Sequence, residues 1–535
     1  MVVRSAFDTK PFERRVLGSF YTPREVAIPL INDMINQIDL LQNNENITVC
    51  DPFCGDGRLL RWIGIELKDR FPKSRIYLEG WDIDEKATEY AKNQMNETFE
   101  TEQLVSHKIL LEDSFVKIPN PVNKFDIVIT NPPWETIKPD WREMKKFSDD
   151  RRAQIKLELK DLDSRLAIDF PMSQPSRKFA GWGTNLSRVG LELSLSLLQK
   201  NGILGIVMPS SFFADMTSFT LRNHFLNNYS LRDITYYPAE YHLFESVDVE
   251  FATCTAINCK DQKTLNFWVY SESGIVNNGS IELTKQNISL LDGNIPLRLG
   301  SAPYEVFKKF TGCVALNEVF GHGSNQIWGG REIDETRIKE KFIDKEGLRI
   351  MFSRDMERYG IRTPVNDLNR ISEENATKSC QHPRIIWRDI ARPSMKRRMN
   401  ASIIKEGVLT GNSLGVLHFG NKDYDSLQCL LGVLNSFVFE YQIRAKLATN
   451  HITWGVIKNL KVPNLEVLLK HDVNLLVHEI MKGDSSEIQL EALIAKLYGL
   501  ELDDFAIILD AFDKINQEHK ENLKLTFRNI QLNGE

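Results

Sequence analysis

The sequence predicts an α/β protein: an open, mostly parallel sheet covered by helices on both faces, followed by a second module of mixed α+β character. Three observations predict it. Residues 47–130 repeat one unit, an apolar β-rich run, a turn carrying Gly or Asp, then a helical stretch, and strands alternating with helices at this spacing build parallel sheets. Seven strand-like runs fall within the first 260 residues. After about residue 285 the alternation stops, Gly and Asn become more frequent, and two long helical stretches appear.

The strands are read, in order, at 47–52 (ITVCDP), 76–84 (IYLEGWDID), 106–113 (SHKILLED), 125–133 (FDIVITNPP), 202–209 (GILGIVMP), 231–238 (LRDITYYP) and 250–259 (EFATCTAINC). Helices are expected at about 58–69 and 85–98, and another before Gly202, which serves as its stop signal. The stretch 136–180 fits no strand. Its apolar residues at 155, 159, 162 and 166 form the stripe of an amphipathic helix, and an insertion of this length beside a motif usually shapes a rim or lid. In the second half, 425–447 is read as one largely buried helix and about 486–498 as another, capped by Gly499. The expected domains are therefore 1–285 and 300–535.

Composition narrows the classes. The chain has 535 residues, 42% hydrophobic and 26% charged, which suits a globular protein of two to four domains at about 150 residues each. Its 67 basic and 73 acidic residues leave a net charge of −6, which excludes a protein basic all over but not a local basic groove. Seven cysteines without a CxxC pair offer neither a zinc spacing nor a disulfide framework, so small core residues in a reducing compartment are expected. The N-terminus lacks the apolar stretch of a signal peptide, and no window reaches the ~18–20 apolar residues of a membrane span. A cytoplasmic protein without metal is the expectation.

The chemistry concentrates at the strand tips. In VCDPFCGDG (49–57), Asp51, Pro52, Gly55 and Gly57 occupy a strand-to-helix turn, where glycines let a ligand approach the backbone. The run is not GxGxxG and no Lys-Ser or Lys-Thr follows, so a phosphate cradle is disfavoured. Asp51 would repel a pyrophosphate but suits an ammonium, which points to an amino-acid-bearing nucleoside. Asp82, followed by Ile83, closes the second strand and can accept from ribose hydroxyls. Asp113 at the third tip can accept from an adenine amino group. Each acid alone could be a solvated strand end; three at successive tips, where open α/β sheets bind ligands, favour a site. The fourth strand ends in Asn131-Pro132-Pro133-Trp134. Two prolines after a buried strand are costly as generic structure. They would fix the Asn131 side-chain oxygen and the Pro132 carbonyl as paired acceptors for a ring-bound NH2, stabilising the positive charge that alkylation creates. Trp134 supplies a stacking face.

Taken together, DPFCGDG, GWDID, EDSF and NPPW, in this order, resemble the motifs of S-adenosylmethionine-dependent DNA adenine-N6 methyltransferases, more narrowly the gamma group, in which a target-recognition domain follows. GSFYTPREV (18–26) resembles that group's N-terminal cofactor motif, which places Tyr21 and Thr22 at the cofactor, Thr22 on the methionine carboxylate. HLFESVDVEF stands at the place of an aromatic packing on the flipped base, a role carried to Phe244. Ser114 departs from relatives that carry an aromatic over the adenine, with Phe115 as a substitute. The resemblance covers 18–260. It implies a Rossmann-like class I methyltransferase fold with a mostly parallel seven-stranded sheet, a helical insertion at about 136–180, and a C-terminal α+β target-recognition domain with a helical tail. It further implies S-adenosyl-L-methionine as cofactor, a target adenine extruded from double-stranded DNA, and protection of host DNA from a separate restriction endonuclease that need not form a complex with it. A monomer without membrane attachment is expected, associated with the nucleoid through DNA.

In the second half, Arg384–Arg398 (RIIWRDIARPSMKRR) carries six basic residues against one acid with Trp387 interleaved, the composition of a phosphate-tracking surface. A solvated charged face is the alternative. GHGSNQIWGGR (321–331) is either a binding loop or a surface connection. Pro139-Asp140 and Glu143-Met144-Lys145 mimic a nuclease set at too short a spacing. Cytosine-N4, RNA or protein-glutamine methylation would use the same acceptor pair, and a non-enzymatic specificity subunit is the binding-module alternative.

Overall fold

The computed structural model describes residues 21–38, 45–116, 124–140, 144–175, 182–244, 249–261, 264–320, 327–334, 342–343, 346–392, 395–419, 423–447, 450–483 and 487–532. Expectations on residues 18–20, 143, 176–181, 245–248, 321–326 and 393–394 lie outside these. The chain forms two compact units, Met1–Ser301 and Ala302–Glu535.

Unit 1 is built on one sheet whose strands are β1 (Asn46–Asp51), β2 (Arg75–Asp82), β3 (Val105–Leu111), β4 (Phe125–Thr130), β5 (Leu198–Pro209), β6 (Ser230–Tyr237), β7 (Phe251–Ile257), β8 (Thr264–Ser271) and β9 (Gly274–Glu282). Their spatial order is β3-β2-β1-β4-β5-β7-β6-β8-β9. The stretch from β3 through β5 is parallel, and β7 runs antiparallel to both its neighbours. The sheet is thus nine-stranded and mixed, a correction to the seven strands expected. The hairpin β8–β9 extends it. β9, GIVNNGSIE, buries little of its surface, so it lacks the apolar run that marks a buried strand, and the turn at Gly274 takes a positive φ of 99°.

All six residues of β4 are buried, as for a strand covered on both faces. Helix α1 (Arg24–Ile35) packs against β5 and β7. α2 (Arg58–Arg70) packs on β1 and β2, α3 (Glu85–Phe99) on β2 and β3, and α5 (Leu186–Leu197) on β4 and β5. Asp84 caps α3 by accepting from Lys86 and Ala87 amides, and Asn185 caps α5. The described part of the insertion carries α4 (Asp149–Asp169), capped by Ser148, followed by a 3-10 turn at Pro171–Ser173. Ile155 and Leu166 are buried with Asp163, while Leu159 and Leu162 are half-buried. Among the described residues no helix is long and apolar enough to cross a membrane.

Unit 2 contains a four-stranded antiparallel sheet made of β10 (Ile327–Gly330), β11 (Arg384–Arg388), β12 (Ala401–Ile404) and β13 (Leu414–Phe419), in the order β10-β13-β11-β12. The stretch expected as one helix at 425–447 is two, α6 (Tyr424–Asn435) and α7 (Phe437–Lys446). Ser436 interrupts them with extended backbone and accepts from the Phe439 amide as the cap of α7. A pattern of apolar periodicity does not register this break, because Phe437 and Val438 continue the apolar run.

Candidate active site at the strand tips

Parallel pairing puts the C-terminal ends of β3, β2, β1 and β4 along one edge of the sheet, with Asp51 level with Gly80 and Asp82 with Leu111. Asp51, the last residue of β1, is fully buried. Its Oδ1 accepts from the Thr130 hydroxyl at 2.7 Å and from the Phe53 amide at 3.0 Å, whereas Oδ2 has no hydrogen-bond partner among the described residues. Burial pushes this carboxyl up to about 7 against the pull of those two hydrogen bonds. A buried carboxylate oxygen left open is costly, so its persistence marks a place for a cation or donor.

The turn that follows is shaped for close approach. Gly55 and Gly57 take φ of 51° and 77°, and a Cβ on Gly57 would come within 2.9 Å of Ala91 Cβ. The Gly55 amide donates to Asp82 Oδ2 at 2.8 Å and the Asp84 amide to Oδ1 at 2.9 Å. Burial raises the Asp82 carboxyl, opposed by the amides of Asp84, Gly55 and Ile83. Asp82 therefore ties the β2 tip to the glycine turn. At the β3 tip, Asp113 accepts from the Phe115 amide at 3.0 Å, and the buried Ser114 hydroxyl donates to the Pro52 carbonyl, joining this tip to β1. Phe115 lies 5.1 Å from Phe53 and 6.3 Å from Phe170 at the end of α4, centroid to centroid.

Tyr21 and Thr22 precede α1. The Tyr21 ring covers Gly55, where a Cβ would meet it at 3.0 Å, and Arg58, ion-paired with Asp56 at 2.6 Å, sits 5.0 Å from that ring. Arg58 also donates to the Thr22 carbonyl at 3.3 Å. The Asn131 amide donates to the buried Thr22 hydroxyl at 3.2 Å, so the segment before α1 meets the β4 tip directly.

At that tip, Pro132 is buried against α5: a Cβ on Gly190 would fall 2.4 Å from Pro132 Cβ. Pro133 and Trp134 are half-buried. The Trp134 ring is 5.4 Å from Phe244, edge to face, and 5.9 Å from Phe251. Phe244 is buried and lies 4.9 Å from Phe251. The structure thus gathers Tyr21, Thr22, Asp51, Pro52, Gly55, Gly57, Asp82, Ile83, Asp113, Ser114, Asn131, Pro132, Pro133, Trp134 and Phe244 on four neighbouring tips and the segments packed on them.

Sequence reasoning overlooked Thr130, Asn185, Gly190 and Glu135. Glu135 follows Trp134; burial pushes its carboxyl up to about 7, and its Oε2 has no hydrogen-bond partner among the described residues. The one usable signal was Asn185, a cap residue directly before an apolar helix.

The basic stretch of unit 2 requires a correction. Arg384 is fully buried, its guanidinium 3.0 Å from Glu332. Arg397 pairs with Glu440 at 2.9 Å and Glu491 at 3.2 Å. Trp387 is buried and donates to the Ile452 carbonyl at 2.6 Å, and the buried Arg398 donates to the Ala391 carbonyl. These side chains hold the unit together instead of tracking phosphates; of the six basic residues, Arg392 and Lys396 are exposed. Arg384 and Arg397 pair with acids distant in sequence, which a count along the segment cannot register.

Comparison with known proteins gives one family match, a relative and several fold likenesses. Residues 11–165 match the family N-6 DNA Methylase. Over 198 residues, 37% of this chain, the sequence is 29% identical to the Type II methyltransferase M.VspI of Vibrio sp. (strain 343), and the match spans 38% of that relative's length. The fold is similar to the Type IIL restriction-modification enzyme MmeI, solved in complex with DNA, over 98% of this chain and 80% of that one, with a TM-score of 0.53 and 12% identity. It is also similar to DrdV, solved as a DNA complex, over 88% of this chain and 58% of that one, with a TM-score of 0.50 and 12% identity. The chain is thus similar to N-6 DNA methylases through residues 11–165 and to restriction–modification enzymes in fold.

Proposed function

We propose that the chain transfers a methyl group from S-adenosyl-L-methionine to the N6 amino group of an adenine extruded from double-stranded DNA, at a specific site and as the modification activity of a restriction–modification system. Asn131-Pro132-Pro133-Trp134 at the β4 tip, hydrogen-bonded to Thr22 and flanked by the open Asp51 carboxylate, carries this reading. The residues fit the cofactor. Asp51 Oδ2 is a buried acceptor awaiting a donor, which the amino-acid ammonium would be. Asp82 and Asp113 stand at the next two tips for ribose hydroxyls and the adenine amino group, and the glycine turn with Tyr21 leaves the backbone approachable. Bound there, S-adenosylmethionine would supply an electrophilic methyl group on a sulfonium.

The protein's own part is positioning and charge stabilisation. Asn131 Oδ1 and the Pro132 carbonyl accept hydrogen bonds from the two N6–H groups, drawing the nitrogen lone pair out of the ring and stabilising the positive charge that grows on N6 as it bonds the methyl carbon; one N6 proton then leaves to solvent. Trp134 and Phe244 supply aromatic surface to the extruded base, offsetting an unstacking cost of a few kcal/mol. Holding the nitrogen in line with the methyl carbon removes most of the entropic barrier. Unit 2 is assigned to target recognition, in which the buried Arg384 and Trp387 act as core and not as a DNA-contacting surface.

Methylation-aware sequencing of DNA from cells expressing the chain tests the reading. Adenine methylation confined to one sequence motif is expected; an unmodified genome, or modified cytosines alone, would overturn it.

A further inference from the structure

The segment after the two prolines is stitched to the start of α5. The Asn185 side-chain amide donates to the Trp134 carbonyl and to the Thr136 hydroxyl, both at 3.1 Å. The Leu186 amide donates to the Glu135 carbonyl at 2.8 Å and the Ile137 amide to the Thr184 carbonyl at 2.9 Å. The other end of the same side chain is the helix cap. Asn185 Oδ1 accepts from the Ser187 amide at 3.0 Å and the Arg188 amide at 3.4 Å. One residue therefore uses its oxygen for α5 and its nitrogen for the Trp134 segment. Thr184, in turn, is fixed to the insertion: its amide donates to Asp163 on α4 at 3.3 Å and its hydroxyl to Gln174 at 2.9 Å. Of these bonds, the one to the Trp134 carbonyl acts on a proposed base-contacting residue through a side chain that can be altered without touching the backbone.

We infer that Asn185 is a positioning residue for methyl transfer: its amide fixes the Trp134 carbonyl and thereby the aim of the whole Asn131–Trp134 acceptor set. The inference rests on the reading of that segment as the transfer site. Two separable functions in one side chain make it testable. Asn185→Asp keeps a cap oxygen, favourable at a helix N-terminus, and replaces the donor to Trp134 with an acceptor that repels the carbonyl. Asn185→Ala removes both.

The experiment uses the full chain, tritiated S-adenosylmethionine and plasmid DNA from a methylase-deficient host, with single-turnover transfer, KM for DNA, cofactor dissociation constant and thermal midpoint measured for each protein. Misplacement by about 1 Å far from the bond-making atoms can cost on the order of 100-fold in rate. Asn185→Asp is expected to lose tenfold or more, to about that limit, in the transfer rate, with cofactor affinity, KM and thermal midpoint near wild type. A transfer rate near wild type in Asn185→Asp overturns the inference while leaving the proposed activity intact. A rate loss that tracks a lower thermal midpoint equally in both variants overturns it in favour of a purely structural cap. No transfer by the wild-type chain sinks the proposed activity, and the inference with it.

Discussion

Thr130 and Asp51 meet across the parallel pair β4–β1, the hydroxyl donating to Oδ1 at 2.7 Å. With the Phe53 amide on the same oxygen, this bond fixes the carboxylate rotamer and leaves Oδ2 as the open acceptor. The residue before the NPPW run thus orients the acid at the neighbouring tip.

A pH dependence follows from it. Burial holds the Asp51 carboxyl neutral up to about 7 in the ligand-free protein. The folded state then binds this proton more tightly than the unfolded chain does, so the contribution to stability is fully present below the ordinary carboxylate range and is lost as pH rises through about 7. Accepting an ammonium requires the ionised form. Cofactor affinity should therefore rise between about pH 6 and pH 8 with net proton release, and Asp51→Asn should weaken binding and flatten the dependence. Calorimetry in buffers of different ionisation enthalpy reads both; an affinity indifferent to pH in the wild type would remove Asp51 from the ammonium site.

Asn131→Ala should abolish methyl transfer and leave the cofactor dissociation constant within a few-fold of wild type, because it removes a 3.2 Å bond to Thr22 while leaving Asp51, Asp82 and Asp113 in place. A loss of cofactor binding as large as the loss of transfer would show that the acceptor pocket has been misplaced.

Gly190→Ala opposes two effects. Alanine in a helix interior gains about 1 kcal/mol over glycine, but its Cβ would fall 2.4 Å from Pro132 Cβ, and overpacking of this kind costs about 1–3 kcal/mol. The proline ring cannot yield without moving Asn131. The variant should be no more stable than wild type by thermal denaturation and should transfer methyl groups slowly; a more stable, fully active variant would contradict the packing.

In unit 2, Glu332→Ala would strand Arg384 in the core and strip an acceptor from the Thr410 amide and hydroxyl. Breaking a buried pair in this way costs about 3–5 kcal/mol, measurable by urea denaturation. A loss below about 1 kcal/mol would mean that the pair contributes no more than a surface one.

The parallel part of the sheet was legible because its strands are buried on both faces and end in residues of distinct chemistry: Asp51, Asp82 and Asn131 are each the last or next residue of a strand. The hairpin β8–β9 was not, since Asn277, Asn278 and Ser280 give β9 no apolar alternation. The basic stretch misled for a different reason. Arg384 and Arg397 look like surface charge until Glu332, Glu440 and Glu491 arrive from 43 to 94 residues away, the separations at which Arg397 meets its partners, and 52 for Arg384. Asn185 reads as an ordinary cap; only the folded chain shows that its nitrogen reaches Trp134.

The most direct measurement incubates the purified chain with unmethylated DNA and S-adenosylmethionine carrying an isotopically labelled methyl group, digests the DNA to nucleosides and identifies the labelled product by mass spectrometry. The account predicts label in N6-methyladenine with wild-type protein and none with Asn131→Ala. Label in another base, or undiminished labelling by the variant, would contradict it.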